Sequence, residues 1–236
     1  MTIPNPAVIM ITGASSGIGA ATARLLAGPG RTLHLQGRDD ARLAALASEV
    51  GDAGGTAVTH RLDLADRHAV DAEATRLATD LPRLDGLVHS AGVVSLAPVE
   101  SADIADLDHQ YAVNLRAPFA LTTALTPAIV AAGGQVVFVN SGAGQRASPG
   151  WSQYASSKFG LRALADAYRA EVGDRGVRVT TIYPGRTATP MQAEVHRQEG
   201  RPYDPTAFAT PEDVASSIEH VLLMPRSATV PEISVR

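Results

Sequence analysis

Short apolar runs alternate along this chain with longer stretches in which apolar positions recur every three or four residues. The runs at 7–12 (AVIMIT), 32–37 (TLHLQG), 56–62 (TAVTHRL), 84–90 (LDGLVHS), 135–140 (QVVFVN) and 177–183 (VRVTTIY) predict strands. The stretches 17–27, 40–50, 66–79, 102–131, 152–173 and 210–223 predict helices, with a kink expected inside 102–131. Regular strand–helix alternation predicts an α/β fold. Its expected form is a doubly wound, mostly seven-stranded parallel sheet with helices on both faces. The seventh strand is expected near 229–235. Pro231 cannot donate a ladder hydrogen bond, so that strand belongs at an edge.

Local signals sharpen two boundaries. Thr210, Pro211 and Asp213 form a capping-box pattern at the start of the last helix. The segment 190–209 carries Pro190, Pro202 and Pro205 and is the least regular part of the chain, so it is expected to be a substrate loop or lid. No charge run or Pro/Ser-rich linker divides the 236 residues, which predicts a single domain over 1–236.

Composition narrows the function classes. The net charge is −4, which argues against a nucleic-acid surface. Cysteine is absent, so no disulfide scaffold or cysteine metal site can form, and no metal ligand set is identified. The start MTIPNPAVIMITG has neither a basic region nor a long apolar run, so neither a signal peptide nor a membrane span is expected. A cytoplasmic protein is. Of the 20 Lys and Arg residues only one, Lys158, is lysine, in the stretch YASSK. In a chain that writes arginine elsewhere, that marks a position where arginine may not serve.

The stretch VIMITGASSGIGAATARLL reads as strand, glycine-rich turn and helix. Gly13, Gly17 and Gly19 let a backbone approach a diphosphate, and the helix N-terminus directs free N–H groups at it. At the end of the second strand Gly37 and Arg38 stand where an acidic residue would bind a ribose. A guanidinium there favours a 2′-phosphate, hence NADP(H), with NAD(H) as the alternative. Asp39 is read as the cap of the helix that follows.

These motifs, taken in order, resemble the short-chain dehydrogenase/reductase family, in its single-domain branch with a Rossmann-type fold. The resemblance runs from about residue 7 to 223. Thr12–Gly19, with Ser15, Ser16 and Ile18, matches TGxxxGxG; Tyr154 and Lys158 match YxxxK, with Ser141 at 13 positions before the tyrosine. Asp63 and Leu64 match the pair that lies near the adenine. Asn114 matches the helix asparagine. Pro184, Gly185 and Thr189 match PGxxxT, with Thr187 where an aliphatic residue is common. The fourth-strand NNAG appears as His89-Ser90-Ala91-Gly92. Ala91 and Gly92 still admit a cofactor, but two sheet-stabilising asparagines are gone.

What the resemblance implies is a hydride transfer between NADP(H) and a small carbonyl or alcohol substrate. Tyr154 acts as general acid/base, Ser141 holds the substrate oxygen, Lys158 lies beneath the tyrosine and reaches the ribose, and Asn114 holds a water in a proton relay. The residue chemistry agrees. A phenol has an unperturbed pKa of about 10, and a cation one helical turn away favours the phenolate. Val93, Val94, Gly142 to Gln145, Trp151, Arg186 and Met191 are expected to line the pocket, and Arg186 to pair with an anionic group on the substrate, with cofactor phosphate or solvent as the alternatives. A homodimer or homotetramer is implied through the long helices, whose outer positions are expected to include Leu121, Leu125, Leu161 and Leu164. The competing reading is an NADP(H)-binding sensor or scaffold with little turnover, against which the intact Asn–Ser–Tyr–Lys set speaks. An extended-branch epimerase or dehydratase is disfavoured by length and glycine spacing.

Overall fold

The structure, a computed structural model, describes residues 6–236. Seven strands form one sheet: β1 (Ala7–Thr12), β2 (Arg31–Gly37), β3 (Thr56–Arg61), β4 (Gly86–His89), β5 (Gln135–Val139), β6 (Arg178–Pro184) and β7 (Glu232–Val235). Their order is β3-β2-β1-β4-β5-β6-β7, and every neighbouring pair is parallel. The chain therefore leaves β1 in one direction to build β2 and β3, then returns to its other side to build β4 onward. The reversal opens a crevice beyond the carboxyl ends of β1 and β4, where such folds bind ligands. β7 is an edge strand, as Pro231 requires. Pro231 lies just outside it and accepts from the Thr181 N–H at 2.9 Å.

Alternation along the central strands feeds two cores. Met10, Leu87, Val136 and Phe138 point into one, with α3 (Arg67–Asp80), α5 (Ala117–Ala132) and α6 (Ser152–Val172). Ile9, Ile11, Val88, Val137 and Ile182 point into the other, with α1 (Gly17–Leu26), α2 (Asp40–Asp52) and α8 (Pro211–Leu223). Both faces of the sheet are thus apolar and covered, which is why the strands read as near-continuous hydrophobic runs. Asp39 caps α2 by accepting from the Arg42 N–H, and Thr210 with Asp213 closes the capping box of α8.

Three sequence expectations change. The stretch 102–131 is α4 (Ile104–Tyr111), a π-turn over Ala112–Arg116, and α5, so the irregularity is a widened turn ahead of Pro118. By length and composition alone this run, Ile104–Ala132, could cross a membrane, but the Leu121, Leu125 and Ile129 face of α5 packs on the sheet. Leu121, Leu125 and Leu161 are therefore core residues, not outer ones; only Leu164 reaches the outer groove. The segment 190–209 is more regular than its prolines suggest. It forms α7 (Pro190–Gln198) and a short turn at Pro205–Ala207, because Thr189 caps the helix by accepting from Gln192 N–H and Pro190 sits in the first turn, where its missing N–H costs nothing.

Candidate active site

The crevice has two connected halves. The first, about 400 Å³, is lined by Gly13, Ser15, Ser16, Gly17, Ile18, Arg38, Asp63, Leu64, Ala91, Gly92 and Thr189, among others. Sequence reasoning named all of these. Gly13 and Gly17 have φ of 69° and 53°, in the left-handed region where glycine is favoured. A Cβ on Gly13 would stand 2.7 Å from the Ala91 Cα. A Cβ on Gly19 would overlap the Gly13 carbonyl, so Gly19 packs the turn and does not line the crevice. Ser16, at the N-cap of α1, makes no side-chain cap, which leaves the helix N–H groups free for an anion. The cradle fits a diphosphate. Arg38 is exposed at its rim and forms no ion pair among the described residues.

Two buried side chains that the sequence reading passed over hold this half together. Gln36 accepts from Gly13 N–H at 3.2 Å and donates to the Leu62 carbonyl at 2.6 Å, tying the ends of β1, β2 and β3. Thr12 Oγ1 accepts from the N–H groups of Ser90 and Ala91 at 3.2 and 3.3 Å, tying β1 to the chain after β4. Gln36 carried a signal, a polar residue inside a buried strand; Thr12 was read only as part of the glycine motif.

The second half, about 700 Å³, is lined by Ser141, Tyr154, Lys158, Trp151, Pro184, Gly185 and Thr187, and shares Ile18, Gly92, Thr189 and Met191 with the first. Val94 lines both halves; Val93 lines only the first. Trp151 stands at the N-cap of α6 and meets Tyr154 edge-on, with ring centres 5.9 Å apart, so it is both cleft wall and helix start. Lys158 Nζ donates to the Val139 carbonyl at 3.1 Å and lies 5.8 Å from the Tyr154 ring centre.

Asn114 lines neither half. It is fully buried in the π-turn, where its amide accepts from Val93 N–H at 2.9 Å and donates to the Val93 carbonyl and Ser157 Oγ, both at 3.0 Å. Both amide hydrogens are thus committed to protein, clamping the segment after β4 onto α6. His89, in place of the family's asparagine, is buried against Phe138 and bonds Thr122 Oγ1 at 2.9 Å. Asn140 was missed, although it is one of three asparagines in the chain. Buried at the end of β5, it accepts from Ser141 N–H at 2.9 Å and donates to the Lys158 carbonyl at 3.0 Å, joining the serine turn to the helix of Tyr154 and Lys158.

Electrostatically, burial dominates. It pushes the Tyr154 phenol up to about 12, opposed by a hydrogen bond from Ser141, and pulls Lys158 down to about 8. The sequence argument had the lysine charge drawing the phenol down; in the structure desolvation of the phenolate is the larger effect. At neutral pH that upward shift favours the protonated phenol. Arg186 is not a free cation either. It makes a two-pronged pair with Glu199 at 2.7 and 2.9 Å and lies 6.0 Å over the Trp151 ring.

Comparison with known proteins agrees with this geometry. The family model described as short chain dehydrogenase matches residues 7–200. The chain is 34% identical over 219 residues to the uncharacterized oxidoreductase YciK of Escherichia coli, covering 89% of this chain and 83% of that protein. It is 33% identical over 234 residues to the glycine betaine reductase ATRR of Emericella nidulans, 97% of this chain but only 18% of the length of that relative. A crystal structure of a Shigella flexneri short chain dehydrogenase complexed with NADP superposes with a TM-score of 0.89 at 30% identity, covering 98% of each chain. Other matched structures of such proteins likewise hold NADP or NADPH.

Proposed function

The chain belongs to the short-chain dehydrogenase family, and from that premise we propose that it moves a hydride between NADP(H) and a small carbonyl or secondary alcohol, with Tyr154 as general acid and base. One observation carries the reading: a buried tyrosine lines, with Ser141 and Lys158, the cleft that opens onto the dinucleotide cradle. When bound, the nicotinamide supplies or accepts the hydride. Gly13, Ser15, Ser16, Gly17 and Ile18 would hold the diphosphate, Arg38 the 2′-phosphate, Asp63 and Leu64 the adenine. Ala91, Gly92, Pro184, Gly185, Thr187 and Thr189 would hold the nicotinamide end. NADP is favoured over NAD by Arg38, which forms no ion pair among the described residues, and by the coenzyme in the solved relatives.

Ser141 Oγ orients the substrate oxygen. Tyr154 gives its proton to that oxygen as negative charge develops there. Lys158 stays beneath as a donor, and Asn140 and Asn114 keep the two arms of the site in register. Segment 190–209 serves as the substrate lid, held by Gln198 Oε1 accepting from Leu96 N–H at 2.7 Å and by Glu199 on Arg186. One domain thus carries both coenzyme and catalytic residues. The exposed Phe119 and Phe159, beside an outer groove of Tyr111, Leu115 and Leu164, favour a homodimer or tetramer through this face, in the cytoplasm.

Tyr154→Phe tests the reading. NADPH oxidation with a panel of ketones and β-keto esters is expected to fall by about 10²–10⁴, while NADPH binding persists. Undiminished turnover in the folded variant would refute the role of Tyr154.

A further inference from the structure

The substrate end of the cleft is unusually cationic for an acidic chain. Arg146, Lys158, Arg186, Arg201 and Arg236 line it against a single carboxylate, Glu199, although the whole chain carries −4. Glu199 is committed to Arg186. Lys158 belongs to the chemistry. Arg146, Arg201 and Arg236 remain, none of them in an ion pair among the described residues; Arg236 follows β7, whereas Arg146 and Arg201 lie in elements that frame the site. Each is fixed at its root rather than on a free strand end. Arg146 N–H donates to the Gly142 carbonyl at 3.1 Å, in the turn that follows Ser141, and Arg201 N–H donates to the His196 carbonyl at 2.9 Å, at the end of α7. The two therefore come from different elements, one from the Ser141 turn and one from the end of α7. Within the same cleft Gln192 is 7% exposed and its amide nitrogen has no partner among the described residues. A buried amide donor without a partner is costly unless something else accepts from it. Arg38, the residue suited to the coenzyme's 2′-phosphate, lies in the other half of the crevice, so these cations are not placed for it.

We propose that Arg146, Arg201 and Gln192 form an oxyanion-binding subsite, so that the carbonyl or alcohol substrate carries a carboxylate or phosphoryl group. The inference rests on reading this cleft as the substrate site. It moves the anion partner from Arg186, paired with Glu199, to Arg146 and Arg201, which form no ion pair among the described residues although Arg201 also feels the Glu199 charge, and whose planar forks match either oxyanion. A charge held at the mouth would fix the orientation of the reducible group toward Tyr154.

Trp151 is the only tryptophan in the chain and lines the cleft, so its emission reports occupancy. The test titrates the full chain, with NADP+ present, with 4-oxopentanoate, its methyl ester and 3-oxobutylphosphonate. Both anions are expected to bind more tightly than the ester, and the tighter of the two identifies the preferred oxyanion. Each of Arg146→Ala and Arg201→Ala is expected to cut the anion-to-ester preference by about two- to fivefold, as for exposed ion pairs. Raising the ionic strength to about 1 M should shrink it in the parent, since screening there acts within about 3 Å. The proposal is overturned if the parent binds the ester as tightly as the anions, or if the preference survives in the Arg146→Ala/Arg201→Ala protein. NADPH oxidation by the same proteins with the same compounds, NADPH replacing NADP+, separates the two readings. Turnover without anion preference removes only the subsite, and anion preference without turnover of any compound removes only the oxidoreductase reading.

Discussion

Gly144 is the tightest point of the catalytic half, and Gly144→Ala is the substitution with the most readable consequence. Its φ is not in the left-handed region, so an alanine meets no backbone strain there. The obstacle is space. A Cβ would overlap Asn140 Oδ1 and stand 2.9 Å from the Lys158 carbonyl oxygen. The helix carbonyl cannot retreat, so the Asn140 amide must. Asn140 then loses its bonds to Ser141 N–H and the Lys158 carbonyl. Overpacking costs about 1–3 kcal/mol and each of the two lost hydrogen bonds about 0.5–1.5, for a total of about 2–6 kcal/mol. A domain stable by about 5–15 kcal/mol stays folded at the lower end of that cost. Catalysis should suffer more than folding, because Ser141 and Lys158 are displaced relative to each other and a misplacement of about 1 Å can cost about 10²-fold. Urea unfolding followed by Trp151 emission reads the first quantity and steady-state NADPH oxidation the second. Asn140→Ala/Gly144→Ala completes a cycle. Removing the amide makes room for the methyl, so the double variant should be less damaged than the sum of its parts by about 0.5–3 kcal/mol. A Gly144→Ala protein within about 0.5 kcal/mol of the parent and with unchanged kcat, or strict additivity in the cycle, would refute the claim that Asn140 holds the two arms together.

Further outcomes can be checked one by one. Arg38→Ala should raise the KM for NADPH by about 10–150-fold, the worth of a hydrogen bond to a charged group, and leave the KM for NADH little changed. Reduction should decline as pH rises through about 8, where the buried Lys158 loses its proton; a pH profile of kcat that is flat through this region would contradict its place in the reaction. On β2 and β3, His34 Nδ1 and His60 Nε2 share a hydrogen bond of 2.9 Å, and burial pulls His34 down to about 4 and His60 down as well. In the window from about 6.5 to about 4 the unfolded chain takes up protons that the folded one refuses, so stability is full above about 6.5 and is lost as pH falls through it. For His34 the expected loss at about pH 4.5 is on the order of 2 kcal/mol, and His34→Gln should flatten that part of the urea-midpoint curve. Thr210→Ala, which opens the capping box of α8, should cost about 0.5–2 kcal/mol in the same unfolding assay.

Much of this was legible because the relevant physics is local. A glycine-rich turn between an apolar run and an amphipathic helix has few other uses, and Gly13 and Gly17 do take the left-handed conformations that such a turn demands. Tyr154 and Lys158 could be paired from sequence because one helical turn fixes their geometry. What was not legible depends on partners distant in sequence. That Arg186 is neutralised depends on Glu199, 13 residues on, just past α7. That Asn140 matters depends on the Lys158 carbonyl, 18 residues away. Leu121, Leu125 and Leu161 were assigned to an outer face because periodicity locates a stripe but not the direction it faces. The helix in 190–209 was hidden by counting its prolines without noticing that Pro190 follows a threonine cap, the one place where proline starts a helix instead of ending it.

The single lysine of an arginine-rich chain gains a fuller explanation from its surroundings than from its charge. At position 158 the side chain is 3% exposed and has one backbone acceptor, the Val139 carbonyl. A guanidinium there would be a permanent buried charge with most of its donors unmet, since arginine cannot give up its proton. An amine can, and burial brings it to about 8, where charged and neutral forms are both accessible. The same burial holds Tyr154 at about 12. The order of these two acidities matters more than either value. On the proposed mechanism, once Tyr154 gave its proton to a developing alkoxide, the Lys158 ammonium would be the stronger acid of the pair, so return of a proton toward the tyrosinate would run downhill. On the same mechanism, burying the tyrosine and the lysine side by side would leave the phenol a ready donor in the direction of carbonyl reduction. It would also give the donor a source from which to recover, a role the always-charged arginine used elsewhere in the chain could not fill.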